Sequence, residues 1–273
     1  MTASIVDLGS FKIAVAPDDH DISRQLSRDR WYSDERFQTD VFAGLLRPGM
    51  RVLDIGANIG FYTLLARSIV GAEGSVVAFE PYPRSTALLR SSIQANGYAN
   101  VELVEAAASD AAGRARLFLS PEFWTEHSLL DLEFGAPGPE GYSIDVPLVT
   151  VDAALERLGG GHRVDVVKID IEGWEWRALQ GMQRVLRESP GMVLVTEFWP
   201  NGILKAGGTP ARYLQTLHEA GFTFHEIDNE AQRLAPATAG DLLERAESSA
   251  QHTFENPVMQ AWGWYTNLLC TRG

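Results

Sequence analysis

Leu53-Asp54-Ile55-Gly56-Ala57-Asn58-Ile59-Gly60-Phe61-Tyr62 is the stretch on which the reading of this chain turns. The run Arg51–Ile55 is short and β-rich, and Ile59–Val70 is helix-like. Between them lies Asp-x-Gly-x-x-x-Gly. Gly56 lets the backbone turn sharply and approach a ligand with no Cβ in the way. A ligand held there sits at a helix N-terminus, on the carboxyl edge of a sheet. A dinucleotide fingerprint needs Gly-x-Gly-x-x-Gly, so that a pyrophosphate can lie on the turn. Asn58 breaks that spacing, and an acid at the strand tip repels a pyrophosphate.

The same acid suits a ligand with a cationic amino group and no phosphate, a description that S-adenosylmethionine (SAM) fits. Glu80 supports this, because it ends the next β-rich run, Ser75–Glu80. A carboxylate at that tip accepts hydrogen bonds from a ribose diol.

Outward from this core the chain alternates. Arg84–Asn96 reads as a helix closed by Gly97, and Val101–Val104 as a strand. After the middle of the chain, Val164–Ile171 and Met192–Trp199 read as strands around a helix at Trp174–Glu188. Thr209–Ala220 reads as a helix, then Phe222–Ile227 and Trp262–Cys270 as strands. Apolar runs separated by helices indicate βαβ units and a buried parallel sheet. The expectation is α/β, with a seven-stranded sheet.

Three other regions are less regular. At the N-terminus, a strand at Phe11–Ala16, the polar stretch Pro17–Arg30 and a helix at Asp34–Leu46 form an expected cap over residues 1–47. Arg114–Leu119 and Ser143–Val151 alternate and read as an inserted strand pair within residues 114–151. Between them, Ser120–Tyr142 is rich in Gly, Pro and aromatics, and a loop of that length is usually functional or mobile. Ala231–Glu255 is polar and ambiguous. No linker divides the chain, so residues 1–273 are expected to form one domain.

Composition narrows the partners. Among 273 residues, 36 acidic and 23 basic side chains leave a net charge of −13. That balance argues against binding to nucleic acid or to anionic lipid. No apolar run approaches the ~20 residues of a membrane span, and no secretory signal is visible. Cys270 is the single cysteine, which excludes an internal disulfide or a multi-cysteine metal site and suggests a cytoplasmic protein. In an apolar strand with no base partner, it reads as a buried thiol rather than a nucleophile.

The motifs resemble a known family. VLDIGANIGFYTLLA followed by VVAFEPYPR resembles the SAM-binding core of class I methyltransferases. KIDIEGWEWRAL followed by VLVTEFWP narrows the resemblance to FkbM-type O-methyltransferases, and the likeness runs from about Glu35 to Pro200. It implies a Rossmann-like, mostly parallel sheet whose last strand is antiparallel. It implies that Asp54, Gly56, Ala57, Asn58 and Gly60 hold the methionine part of SAM, with Phe61 a further cofactor contact. Glu80, with Pro81 and Tyr82 beside it, matches the ribose acid. Ala107 begins the turn that contacts adenine, and Glu35 matches an acid upstream of Leu-x-Pro-Gly, with Arg36 where the family has proline.

The far strand tips need a chemical reading. In a strand, Lys168, Asp170 and Glu172 share one face. Asp170 is therefore expected in the cleft beside the sulfonium, with Glu172 and Glu197 near it. A base that takes a hydroxyl proton accelerates transfer by about 10²–10⁴-fold. Asp170 or Glu172 is the expected catalytic base. The three acids could instead hold a divalent cation that orients a diol, or pair structurally with Lys168 or Arg177. No metal is expected as a first reading. His127, the one histidine in the insertion, is a second possible base near neutral pH. Trp124, His127, Trp174, Glu197 and Trp199 are the expected acceptor-contacting residues, since aromatics stack on sugar faces or line a macrocycle pocket.

The function expected is SAM-dependent O-methylation of a sugar or secondary-metabolite hydroxyl, with a small molecule or glycan as partner. The alternatives are N- or carboxyl methylation of a small molecule or peptide, and a non-catalytic SAM-binding module. RNA methylation is disfavoured by the charge. Oligomeric state is not readable, a homodimer being one option.

Overall fold

A computed structural model of the chain describes residues 3–30, 32, 35–120, 123–132, 141, 143–250 and 263–272. Strands β1 (Ser4–Asp7) and β2 (Lys12–Val15) form an antiparallel hairpin, followed by helices α1 (Ile22–Asp29) and α2 (Arg36–Leu45). Then come β3 (Arg51–Ile55), α3 (Phe61–Val70), β4 (Ser75–Phe79), α4 (Pro83–Asn96) and β5 (Val101–Val104). Strands β6 (Ala107–Ala108), β7 (Gly113–Phe118) and β8 (Ser143–Val149) make a small separate sheet. The second half runs α5 (Val151–Leu158), β9 (Val166–Ile169), α6 (Glu175–Gln180), α7 (Gln183–Glu188), β10 (Val193–Phe198), α8 (Pro200–Lys205) and α9 (Pro210–Glu219). It ends with β11 (Phe222–Asp228), β12 (Arg233–Ala237), α10 (Ala239–Ala250) and β13 (Thr266–Arg272).

The main sheet has the order β12-β11-β13-β10-β9-β3-β4-β5. Strands β5, β4, β3, β9 and β10 are parallel, and β13 lies antiparallel between β10 and β11. This is the expected α/β fold with one strand more: eight among the described residues, not seven. The additional strand, β12, pairs only with β11, so it carries the polar pattern of an edge.

Each parallel strand alternates between two cores. Val76 and Ala78 of β4 face the layer of α3, α4 and the N-terminal hairpin. Val77 and Phe79 face the layer of α5, α6, α7 and α9. Each fully buried aliphatic side chain contributes about 1.5–3 kcal/mol, so both faces of the sheet are held.

Other departures have local causes. The helix expected over Trp174–Glu188 is broken between Gln180 and Gln183, where Gly181 lets the chain approach the Ser109 carbonyl oxygen, which a Cβ would meet at 1.9 Å. The polar stretch Pro17–Arg30 contains α1, whose buried side is only Ile22, Ser23 and Leu26, too narrow a stripe to stand out. The inserted pair β7–β8 is joined by β6 into three strands, and Val151 starts α5 rather than ending a strand. The last strand begins at Thr266; Trp262 lies outside the described residues, as do residues 121–122, 133–140 and 142 of the expected acceptor loop.

Candidate functional site

The carboxyl ends of β3, β4 and β9 open onto a cleft roofed by the Trp124–Glu126 turn and the small sheet. Among its lining residues are Glu35, Gly56, Ala57, Asn58, Phe61, Glu80, Pro81, Ala107 and Asp170, nine of the expected cofactor contacts. Trp124, His127 and Trp174 of the expected acceptor contacts line it too.

Glu80 closes β4, and its carboxyl is met by backbone. The Asn58 N–H donates to Oε2 at 2.8 Å and the Tyr82 N–H to Oε1 at 2.7 Å. Burial pushes this carboxyl up to about 7. Phe61, Phe79, Pro81, Leu117 and Trp124 supply apolar wall beside it. An acid anchored at a strand tip against flat apolar surface fits a ribose and its base.

Gly56 has φ +91°, and a Cβ there would lie 1.8 Å from the Asp170 carbonyl oxygen. The expected reason for this glycine was approach to a ligand; the closer constraint is approach to the end of β9. Gly60, also left-handed, is packed on Leu89 and does not line the cleft.

Asp54 is corrected as well. It is fully buried behind the strand tip and does not line the cleft. The Thr63 hydroxyl donates to its Oδ2 at 2.5 Å, while Oδ1 has no hydrogen-bond partner. Burial raises its pKa, opposed first by Lys168, which lies directly beside it in the β3–β9 register. Tyr82 is another buried support: its ring edges pack on Trp124 and His127, at 5.4 and 4.6 Å between centroids.

Lys168 is the residue whose importance the sequence understated. It is 3% exposed, donates to Asp170 Oδ2 at 2.7 Å, and lies 4.3 Å from the Tyr62 ring centroid. Burial disfavours its charge, but Asp170, Glu35 and Asp54 outweigh that and hold it above the ordinary lysine range. A lysine inside the apolar run VDVVKIDI was the available signal.

Glu35 precedes α2 and accepts from the Tyr62 hydroxyl at 2.7 Å and the Gln38 amide at 3.2 Å. Burial, then the Asp170 charge, push it up to about 7. Glu172 sits at φ +53° and its Oε2 is buried without a partner. Glu197, on β10, is 7% exposed and its Oε2 is likewise unpartnered. Both are raised well above the carboxylate range, by burial first and then by neighbouring acids. Glu197 lines not this cleft but a second cavity beside it, which shares Tyr32, Glu35, Thr125, Asp170 and Glu172 with the cleft.

His127 is held as a neutral ring whose Nδ1 is already engaged. The Ser120 N–H donates to its Nδ1 at 3.1 Å, and burial, with Arg84 nearby, lowers its pKa to about 4. The neutral ring therefore carries its proton on Nε2, a buried donor with no protein partner. Trp199 is corrected too: it is fully buried with Leu130, Leu132 and Ala206 and lines neither cavity.

A strand-tip acid for a ribose, a glycine turn fitting no pyrophosphate and a buried ion cluster beside the cleft define a methyltransferase-type α/β domain. The residues present fit SAM: Glu80 for the ribose, and Glu35, Asp170 and the turn at Gly56–Asn58 for the charged end. The chain belongs to the family of methyltransferase FkbM domains, whose model matches residues 54–224. It is 29% identical over 153 residues to protein-L-isoaspartate O-methyltransferase 1 of Arabidopsis thaliana, covering 56% of this chain and 57% of that one. It is 26% identical over 176 residues to methyltransferase sdnD of Sordaria araneosa, covering 56% and 68%. The chain spans 27% to 57% of the length of the isoaspartate methyltransferases it matches. A crystal structure of precorrin-6y C5,15-methyltransferase from Geobacter metallireducens superposes with a TM-score of 0.45 at 13% identity, over 86% of this chain and 88% of that one. Among the described residues no helix is long and apolar enough to cross a membrane.

Proposed function

We propose that the protein is a SAM-dependent O-methyltransferase acting on a hydroxyl of a sugar or secondary-metabolite acceptor, in a cytoplasmic setting. The observation that carries this is the position of Asp170, which lines both the cofactor cleft and the adjoining cavity. An acceptor entering from the second cavity meets the cofactor at that residue.

Bound SAM supplies an activated methyl group on a sulfonium. The chain's own task is to present the hydroxyl and remove its proton. Lys168 holds Oδ2 of Asp170, which fixes the carboxylate and leaves Oδ1 for the hydroxyl proton. Burial and the neighbouring acids raise the Glu172 carboxyl above its ordinary range, which disfavours its charged form, and no lysine holds it as Lys168 holds Asp170. This favours Asp170 over Glu172 as the base.

The acids also bear on the acceptor. A carboxylate acceptor or an RNA phosphate would face the acids Glu35, Asp170, Glu172 and Glu197 of one cavity and find no free cation among its described residues to pair with it. A hydroxyl carries no such penalty.

The test is Asp170→Asn, assayed on a panel of hydroxylated glycans and macrolides that the wild type methylates. The expected variant binds S-adenosylhomocysteine (SAH) in calorimetry and loses about 10²–10⁴-fold in kcat. Unchanged kcat rejects Asp170 as the base. Absence of SAH binding by the wild type rejects the methyltransferase reading itself.

A further inference from the structure

The second cavity has a volume of about 730 Å³ and lies at the ends of β10, β11, β12 and β13. Its walls gather the carboxyls of Glu126, Asp170, Glu172, Glu197, Glu226 and Asp228. The two arginines that line it are already engaged. Arg245 grips Glu226 with both guanidinium nitrogens, at 2.8 and 2.5 Å, and Arg233 lies 3.5 Å from Asp228. Lys168, which does not line the cavity, is paired with Asp170, and all 23 lysines and arginines of the chain lie among the described residues.

Glu197 is the decisive side chain. It is 93% buried, lines the cavity, and leaves Oε2 without a hydrogen-bond partner among the described residues. A buried carboxyl oxygen without a protein partner is costly unless a ligand, ion or water completes it. Glu172, which also lines this cavity, has a buried Oε2 with no hydrogen-bond partner among the described residues. Tyr32, Trp264 and Tyr265 add aromatic surface of the kind that attracts cations.

We propose that this cavity binds a cationic group of the acceptor, an amine or a guanidinium, with Glu197 as its anchor. The inference rests on the methyltransferase reading only in calling the occupant an acceptor. Among the described residues no three His, Cys, Asp or Glu side chains converge as a metal site, and a chamber this wide suits an organic cation better than a bare ion. The groups that bear on Glu197 are Glu172 beside it, Glu175, Asp170 and Glu35, which disfavour its charge, and Lys168, which favours it. An arriving cation stabilises the carboxylate and so releases a proton.

Calorimetry on the SAH-loaded full chain, with tyramine and its uncharged analogue tyrosol in two buffers of different ionisation enthalpy, tests this. Tyramine is expected to bind at least about tenfold more tightly than tyrosol at pH 7.5, with net proton release. In Glu197→Gln that preference is expected to fall to near unity, while SAH affinity, which also reports folding, stays at the wild-type value. Glu172→Gln is the second variant, with a partial loss of preference expected. Equal binding of the two probes, no binding of tyramine, or a preference that survives in Glu197→Gln overturns the proposal. A wild type that selects tyramine but does not bind SAH leaves the cation site standing and removes the methyltransferase reading alone.

Discussion

The two cavities that share Asp170 treat their carboxyls differently. On the cofactor side, both oxygens of Glu80 are met by backbone N–H groups at 2.7–2.8 Å, and Glu35 takes the Tyr62 hydroxyl. On the acceptor side, Glu172 and Glu197 each keep a buried oxygen with no partner. Glu80 and Glu35 on the first side are already met by protein donors. The second is left electrostatically open, so its ligand must bring the missing donor or charge. Backbone can complete a site where strand tips and helix starts converge, as at β3 and β4. It cannot do so where four strand ends meet with only side chains between them.

The sharpest way to break the cofactor side is Gly56→Ala. The new methyl would fall 1.8 Å from the Asp170 carbonyl oxygen at a backbone φ of +91°. The left-handed penalty and the overpacking together cost about 2–5 kcal/mol. Because the clash pushes β3 away from the end of β9, SAH binding and Asp170 placement should fail together. Thermal unfolding and SAH calorimetry on the same sample check this. A variant that keeps both would show that the turn relaxes freely and that the cofactor side is less rigid than its hydrogen bonds imply.

A pH titration of stability compares the two sides directly. Glu35, Glu80 and Glu175 are each pushed up to about 7, chiefly by burial, from an ordinary value of 4.5. The folded chain therefore holds these protons more tightly than the unfolded chain does. Folding is favoured at pH below 4.5 relative to high pH, and that advantage is lost as pH rises through about 7. Lowering the pH from 8 to 6.5 should raise stability on the order of 2 kcal/mol, or Tm by about 5 °C. His127, with its pKa lowered to about 4, opposes this only below about 6.5. Flattening of the rise in Glu80→Gln would place the strain on the cofactor side. Flattening in a Glu172→Gln, Glu197→Gln double variant would place it on the acceptor side. A Tm that falls from pH 8 to 6.5 contradicts both.

The same division governs what could be read without coordinates. The turn at Gly56, the acid at Glu80 and the pair Lys168 and Asp170 are short-range patterns, each a strand end followed by a helix, and the parallel sheet follows from their repetition. The acceptor side has no such pattern. Glu197, Glu226, Tyr265 and Asn267 come from β10, β11 and the chain around β13, and only sheet order makes them neighbours. Strand β12 was illegible because the half-buried positions of this edge strand are only alanines, Ala235 and Ala237, which leave no apolar alternation. Asp54 was legible as an acid at a strand tip, but not as a buried partner of Lys168, since parallel register is set by β3 against β9 and not by local sequence.

Trp199 gives the mildest test, and it concerns where the acceptor side ends. An aromatic at a strand end beside Glu197 looks like a platform for a sugar, yet the ring is fully buried against Leu130 and Leu132. A Cβ at Gly173 would come within 2.8 Å of that ring, and one at Gly202 within 2.4 Å, so the indole packs where two glycines leave room for it. Its neighbours on both sides of the fold are therefore structural, although Glu197 two residues earlier lines the chamber. Trp199→Phe removes part of the ring from a closed space and should cost about 1–3 kcal/mol of stability, measured by denaturant unfolding. The acceptor KM and the tyramine preference should not change, because no ring atom borders either cavity. A raised KM with unaltered stability would return Trp199 to the acceptor wall and extend the chamber past the end of β10.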